Sequence, residues 1–164
     1  MGITVNVTWK KSSKDIKIKA ETLGGALKEL EKRDEWGQHE GGISPTVKVK
    51  DGNVTELTLA GTSEIQMPQW SGYNGAPKAC KKEWDRMYKA LDKHEEEHRT
   101  LYVDVVEKFA EGLRKKTDPL TVEQVKALIK ALDKKLDDDS EKYDTKTGHG
   151  SKDGVNLDIA AECE

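Results

Sequence analysis

The chain has 164 residues, a formal net charge of -3, and slightly more charged residues (36%) than hydrophobic ones (34%). That length suits one domain, residues 1–164, with a real core, and its Lys and Glu residues are interleaved without a basic stripe, so nucleic acid is not an expected partner. No apolar run approaches the roughly 20 residues of a membrane span, and no basic and then apolar leader opens the chain, so a soluble protein without a membrane partner is expected.

Residues 3–9 alternate β-branched or aromatic residues with polar ones, and Ile16 and Ile18 resume that period after Lys-Ser-Ser-Lys, which predicts a hairpin. Thr22 is placed to cap a short helix carrying Leu23, Leu27 and Leu30 that ends near Trp36-Gly37, and Gly41-Gly42 predicts a turn. Val47 and Val49, then Val54, Leu57 and Leu59, predict two strands around Asp51-Gly52-Asn53. The second strand extends toward Ile65-Gln66-Met67-Pro68, where the proline should stop it or place it at an edge.

Residues 69–80 are turn-rich, and the period then changes to 3.6 for about 30 residues. This predicts a long helix with an apolar stripe through Trp84, Met87, Tyr88, Leu91, Tyr102, Val105, Phe109 and Leu113. Asp118-Pro119 ends it, and Thr121 with Gln124 makes a capping box for a second helix carrying Val122, Val125, Leu128, Ile129, Leu132 and Leu136. From Tyr143 the chain reads as irregular, with a short strand around 155–159. Cys80 and Cys163 either pair, closing a long loop worth about 4–5 kcal/mol in the chain-entropy model, or stay thiols in a reducing cytosol.

Within the long helix, His94-Glu95-Glu96-Glu97-His98 spells His-Glu-x-x-His. Residues four apart share a helical face, so two imidazoles can hold one metal ion while Glu95 leans over its remaining coordination position. At 100° per residue, His98 and Glu95 fall in the middle of the apolar stripe and His94 on its edge, whereas Glu96 and Glu97 point to solvent. A buried Glu beside two buried His is costly unless paired, and a divalent cation satisfies all three. Catalytic zinc usually takes a third protein ligand. Arg99, Thr100, Leu101, Tyr102 and Val103 exclude the metzincin extension, leaving His39, His149 or, in gluzincin style, Glu123.

The chain resembles the bacterial predicted secreted zinc-dependent proteases, a family grouped with the zincin metallopeptidases. The resemblance covers roughly residues 15 to 158. It rests on Met67-Pro68-Gln69-Trp70, on Cys80 and Trp84 ahead of the Leu91–His98 block, and on Tyr143-Asp144-Thr145-Lys146-Thr147-Gly148-His149-Gly150. It implies His149 as third ligand beside His94 and His98, Zn2+ as cofactor, and an α+β, zincin-like fold. In that fold a small twisted β-sheet packs on the long active-site helix, followed by a second C-terminal helix. The implied activity is peptide-bond hydrolysis with Glu95 as general base, an endopeptidase acting on peptide or protein substrates, expected as a monomer. Substrate is expected to lie along an edge strand near residues 54–67. Tyr143 either donates its hydroxyl to a developing oxyanion or anchors the second helix. Asp144 and Asp104 either orient an imidazole or are simply solvated, and His39 reads as an exposed loop residue. The resemblance implies a secreted or periplasmic protein, and a chain without a leader leaves cytoplasmic as the alternative. A catalytically silent zinc-stabilised binding domain is the rival function, and a metal-free helical interaction module is a further one.

Overall fold

A computed structural model describes residues 2–164. Strand β1 (Thr4–Ile18) is followed by helix α1 (Leu23–Leu30), strands β2 (Gln38–Lys50) and β3 (Asn53–Trp70), helix α2 (Lys78–Arg114), a two-residue strand β4 (Leu120–Thr121) and helix α3 (Val122–Thr147). The architecture is α+β. The sheet order is β1-β3-β2, with β4 pairing antiparallel to the start of β3.

Several local predictions hold for the reasons given. Thr22 Oγ1 accepts a hydrogen bond from the Gly25 N–H at 3.0 Å and caps α1. Thr121 and Gln124 close a reciprocal capping box, with Thr121 N donating to Gln124 Oε1 at 2.9 Å and Gln124 N donating to Thr121 Oγ1 at 3.3 Å. Between β2 and β3, Asp51 (φ 50°) and Gly52 (φ 79°) are both left-handed, the backbone that a tight two-residue hairpin turn demands.

Other elements differ from the sequence reading. Residues 4–18 form one strand instead of a hairpin, because Lys-Ser-Ser-Lys offers no residue suited to left-handed turn positions. Gly41-Gly42 lies inside β2, where a Cβ at Gly41 would sit 2.5 Å from the Tyr102 ring. The missing side chain makes room for an aromatic ring and does not mark a turn. Pro68 neither stops β3 nor sits on an edge strand, and it is fully buried. In the hairpin register set by Thr55 and Lys48, β2 begins opposite residues 65–66, so Pro68 lies beyond the neighbour its absent N–H would have needed. The expected strand around 155–159 is not formed, and α3 runs on through Tyr143 to Thr147.

The chain packs as two compact units. In the unit built from the segment ending at Ser12, with Glu40–Ser63 and Arg99–Lys142, Val5, Leu57 and Leu59 of the strands meet Val106 and Leu113 of α2 and Val125 and Leu132 of α3. The other unit comprises Ser13–His39, Glu64–His98 and Tyr143–Glu164. There Ile18, Leu23, Leu30, Met67, Trp70, Trp84, Met87 and Leu91 form the core, each such side chain contributing about 1.5–3 kcal/mol by leaving water. Its C-terminal segment is fastened to α2 twice. A disulfide joins Cys80 to Cys163, and Arg86 donates to the carbonyls of Gly154 (3.0 Å) and Asn156 (2.8 Å).

Candidate metal centre

All the residues that converge here belong to the second of these units. The phase of α2 turns His94 (5% exposed), Glu95 (4%) and His98 (8%) inward, while Glu96 and Glu97 are exposed, as the stripe predicts. The last turn of α3 supplies Tyr143 and Asp144, and the loop after it turns back through three consecutive left-handed residues, Gly148 (φ 60°), His149 (φ 53°) and Gly150 (φ 82°). Thr147 steadies that reversal: its hydroxyl donates to the Tyr143 carbonyl at 2.9 Å and accepts from the Gly150 N–H at 3.4 Å. The His149 N–H donates to the Asp144 carbonyl at 2.9 Å.

Three side-chain atoms meet at one point. His98 Nε2 lies 3.2 Å from His94 Nε2 and 2.9 Å from Asp144 Oδ1, and His94 Nε2 lies 3.3 Å from the same oxygen. Ligands held about 2.0–2.1 Å from a tetrahedral zinc are separated by about 3.3 Å along each edge, so this triangle has the size of one face of such a site. Burial, and secondarily the His98 imidazole, push the His94 pKa below its ordinary value, against the pull of Asp144. That favours the neutral, ligating form. His94 Nδ1 is buried and has no hydrogen-bond partner among the described residues, an atom left to ring packing alone. Two nitrogens and one carboxylate oxygen suit zinc among the common divalent ions; the donors fit the group that the sequence implied.

Glu95 is held beside this triangle. A backbone hydrogen bond from His39 reaches its carboxylate, and a Cβ at Gly37 would lie 3.1 Å from Glu95 Oε1 and 3.0 Å from Leu91 Cδ1, so the bare backbone there leaves the carboxyl its space. Burial, and then the charges of Glu35 and Asp144, push the Glu95 carboxyl up to about 8. The Tyr143 ring stacks on His94 with centroids 5.0 Å apart at 27° and meets His98 edge-on at 4.8 Å and 85°. Burial, followed by the charges of Asp153 and Glu97, pushes its phenol up to about 12.

Of the other candidates, His149 is 68% exposed, and its Nδ1 lies 3.9 Å from Asp144 Oδ1. It groups with Glu35 and Asp144 rather than with the two buried imidazoles. Glu123 is 81% exposed and ion-paired with Lys126 at 2.8 Å, outside both groups. His39 is a half-buried residue of β2, not an exposed loop residue, and reaches the site through its backbone. Asp104 is exposed, as the solvated reading has it. Asp144 is the residue the sequence undervalued, and Glu35 the one it missed. A signal for Asp144 existed, since extending the stripe of Ile129, Leu132 and Leu136 by two turns reaches Tyr143 and Asp144.

A family model described as a bacterial protein of unknown function (DUF922) matches residues 13–150, a span that includes every residue of this site. No curated protein and no solved structure matches the chain.

Proposed function

The chain belongs to this bacterial family of unknown function, and from that premise we propose that it is a zincin-type, zinc-dependent peptidase acting as an endopeptidase on peptide or protein substrates. The observation that carries the reading is the buried Glu95 carboxyl, on the same helical face as two imidazoles that converge with Asp144. His94, His98 and Asp144 would hold the metal. Bound there, zinc supplies Lewis acidity, polarising a carbonyl oxygen and bringing the pKa of coordinated water toward about 7.

The remaining work falls to side chains. Glu95 Oε accepts the proton of the attacking water and returns it to the leaving amine, and the His39 backbone and the space over Gly37 fix where that oxygen sits. A divalent charge held by the neighbouring imidazoles would lower the raised pKa of the Glu95 carboxyl and favour the ionised form that a base needs. The Tyr143 phenol, at about 12, keeps its proton at neutral pH and can donate to a developing oxyanion. Its ring, stacked on His94 and edge-on to His98, also restrains the planes of both imidazoles.

The strand on which substrate is expected is not an edge strand of the sheet. β3 is the central strand, between β1 and β2, whereas β2 is an outer strand, and its start at Gln38-His39 adjoins Glu95. An extended peptide would add there. The Cys80–Cys163 bond favours an oxidising compartment, secreted or periplasmic, over the cytosol.

One observation favours the rival, a silent zinc-stabilised binding domain. His149 lies near enough to Asp144 to become a fourth protein donor, which would leave no open position. The deciding experiment is Glu95→Gln. Unchanged zinc content and melting temperature with cleavage reduced at least about 100-fold supports hydrolysis; cleavage equal to wild type rejects the role of Glu95.

A further inference from the structure

Pro68-Gln69-Trp70 and Trp84 have no part in the proposed metal centre, yet they meet. They line a cavity of about 320 Å³ within the compact unit that also holds the metal-centre residues. Its walls are largely aromatic. Trp70 closes β3, Tyr73 lies in the single turn that follows, and Trp84 and Tyr88, four residues apart, share one face of α2. Trp70 and Trp84 are buried and pack with ring centroids 5.5 Å apart, and Tyr73 meets Trp70 edge-on at 6.1 Å and 85°. The Trp70 indole N–H donates to the Ala20 carbonyl at 3.0 Å, which fixes that ring. The aromatic wall is thus set before any ligand arrives, which lowers the ordering cost of binding.

Two carboxylates stand among the rings, Asp15 of β1 and Asp85 of α2, and no Lys or Arg lines the cavity. Asp85 Oδ2 accepts a hydrogen bond from the Tyr73 hydroxyl at 3.0 Å, and among the described residues neither carboxylate has a basic partner. One of the rings already attracts a cation. Lys81 Nζ stands 5.6 Å from the centre of the Tyr73 ring and donates to the carbonyl of Asn74, another lining residue, at 2.8 Å. A neutral sugar would use the rings and leave both charges unanswered. A metal ion would use the carboxylates, but they belong to no group of three potential metal ligands among the described residues. An organic cation uses both features.

We propose that this cavity binds an alkylammonium group, a protonated amine on a short methylene chain, with Asp15 and Asp85 answering the charge and the aromatic wall holding the chain. A lysine side chain and a free amine both carry that group. The volume lies at the small end of the range of about 300–1,000 Å³ common for ligand cavities, which suits so compact a group. The proposal stands apart from the zinc reading, since no residue of this cavity belongs to the metal centre.

The test is an NMR titration of the full, disulfide-intact chain, followed on the indole N–H signals of Trp70 and Trp84. The probes are n-butylammonium, N-acetyl-lysine methylamide and its neutral isostere N-acetyl-norleucine methylamide, with methyl glucoside as the sugar. Both amines should shift these signals saturably, and the isostere and the sugar should not. Tighter binding of the lysine compound assigns a polypeptide side chain, and equal binding of the two assigns a free amine. The double variant Asp15→Asn with Asp85→Asn, at exposed positions that leave the core intact, should weaken amine binding about 5-fold or more. Lys81→Met, which removes the neighbouring cation, should tighten it. The proposal is overturned if neither amine binds saturably, if the isostere or the sugar binds as well as the amines, or if the double variant binds them as wild type does.

Discussion

The Nε2 atoms of His94 and His98 face each other at 3.2 Å, both against one oxygen of Asp144. Such an arrangement is poor in the absence of a cation, since it turns two basic nitrogens toward each other in a buried place. Zinc should therefore stabilise the fold. At 100 times its dissociation constant the gain is about 2.7 kcal/mol, and a chelator should lower the melting temperature accordingly. His98→Ala should abolish this response, and calorimetry with and without chelator reads it; an undiminished response in that variant would move the metal elsewhere.

Gly150 carries the loop past the first of these imidazoles. Its φ is 82°, and a Cβ there would lie 2.7 Å from Val155 Cγ2 and 3.3 Å from His94 Cγ. Gly150→Ala should cost about 1–3 kcal/mol of stability and weaken zinc binding by tilting the His94 ring. Urea denaturation and zinc competition measure the two effects, and a variant with both unchanged would mean the loop does not support that ring.

The Cys80–Cys163 bond spans 83 residues of sequence, for which the chain-entropy model gives about 4–5 kcal/mol. The paired variant Cys80→Ser with Cys163→Ser should show that loss as a lower denaturation midpoint at unchanged slope. Loss below about 1 kcal/mol would mean that Arg86 and the buried Val155 hold the C-terminal segment without it.

Tyr102 supplies a pH dependence away from the proposed metal centre. Burial, and then the charges of Asp133 and Asp137, push its phenol up to about 12 from an ordinary value of 10.0. The folded state therefore keeps the proton to higher pH than the unfolded chain does. The associated stability is fully present below about pH 10 and is lost as pH rises through about 12. Tyr102→Phe should flatten that alkaline loss, and equal slopes for the two proteins between pH 10 and 12 would exclude Tyr102 as its source.

The readable parts of this chain were those governed by local rules. The caps at Thr22 and Thr121, the Asp51-Gly52 turn and the buried phase of His94, Glu95 and His98 each follow from residues within a few positions of one another. What the sequence concealed depends on distant partners. Gly41 reads as a turn until the Tyr102 ring occupies its missing side chain, and Pro68 reads as a stop until β2 is seen to begin too late to pair with it. Asp144 was hidden differently. Acidic residues crowd the end of α3, and the helical register that singles one out is visible only once the helix is known to reach Thr147.

The bond between Cys80 and Cys163 also makes the intervening stretch a closed covalent ring. His94, Glu95, His98, Tyr143, Asp144 and His149 all lie within it, while Glu35 lies outside. A single backbone cut between 115 and 119, in the exposed connection that leads into β4, would therefore leave one molecule with the two halves of the buried triangle still tethered. Such a nicked form should migrate as two pieces on a reducing gel and as one on a non-reducing gel. The proposed metal ligands would remain in one molecule after a break that would otherwise separate His94 and His98 from Asp144.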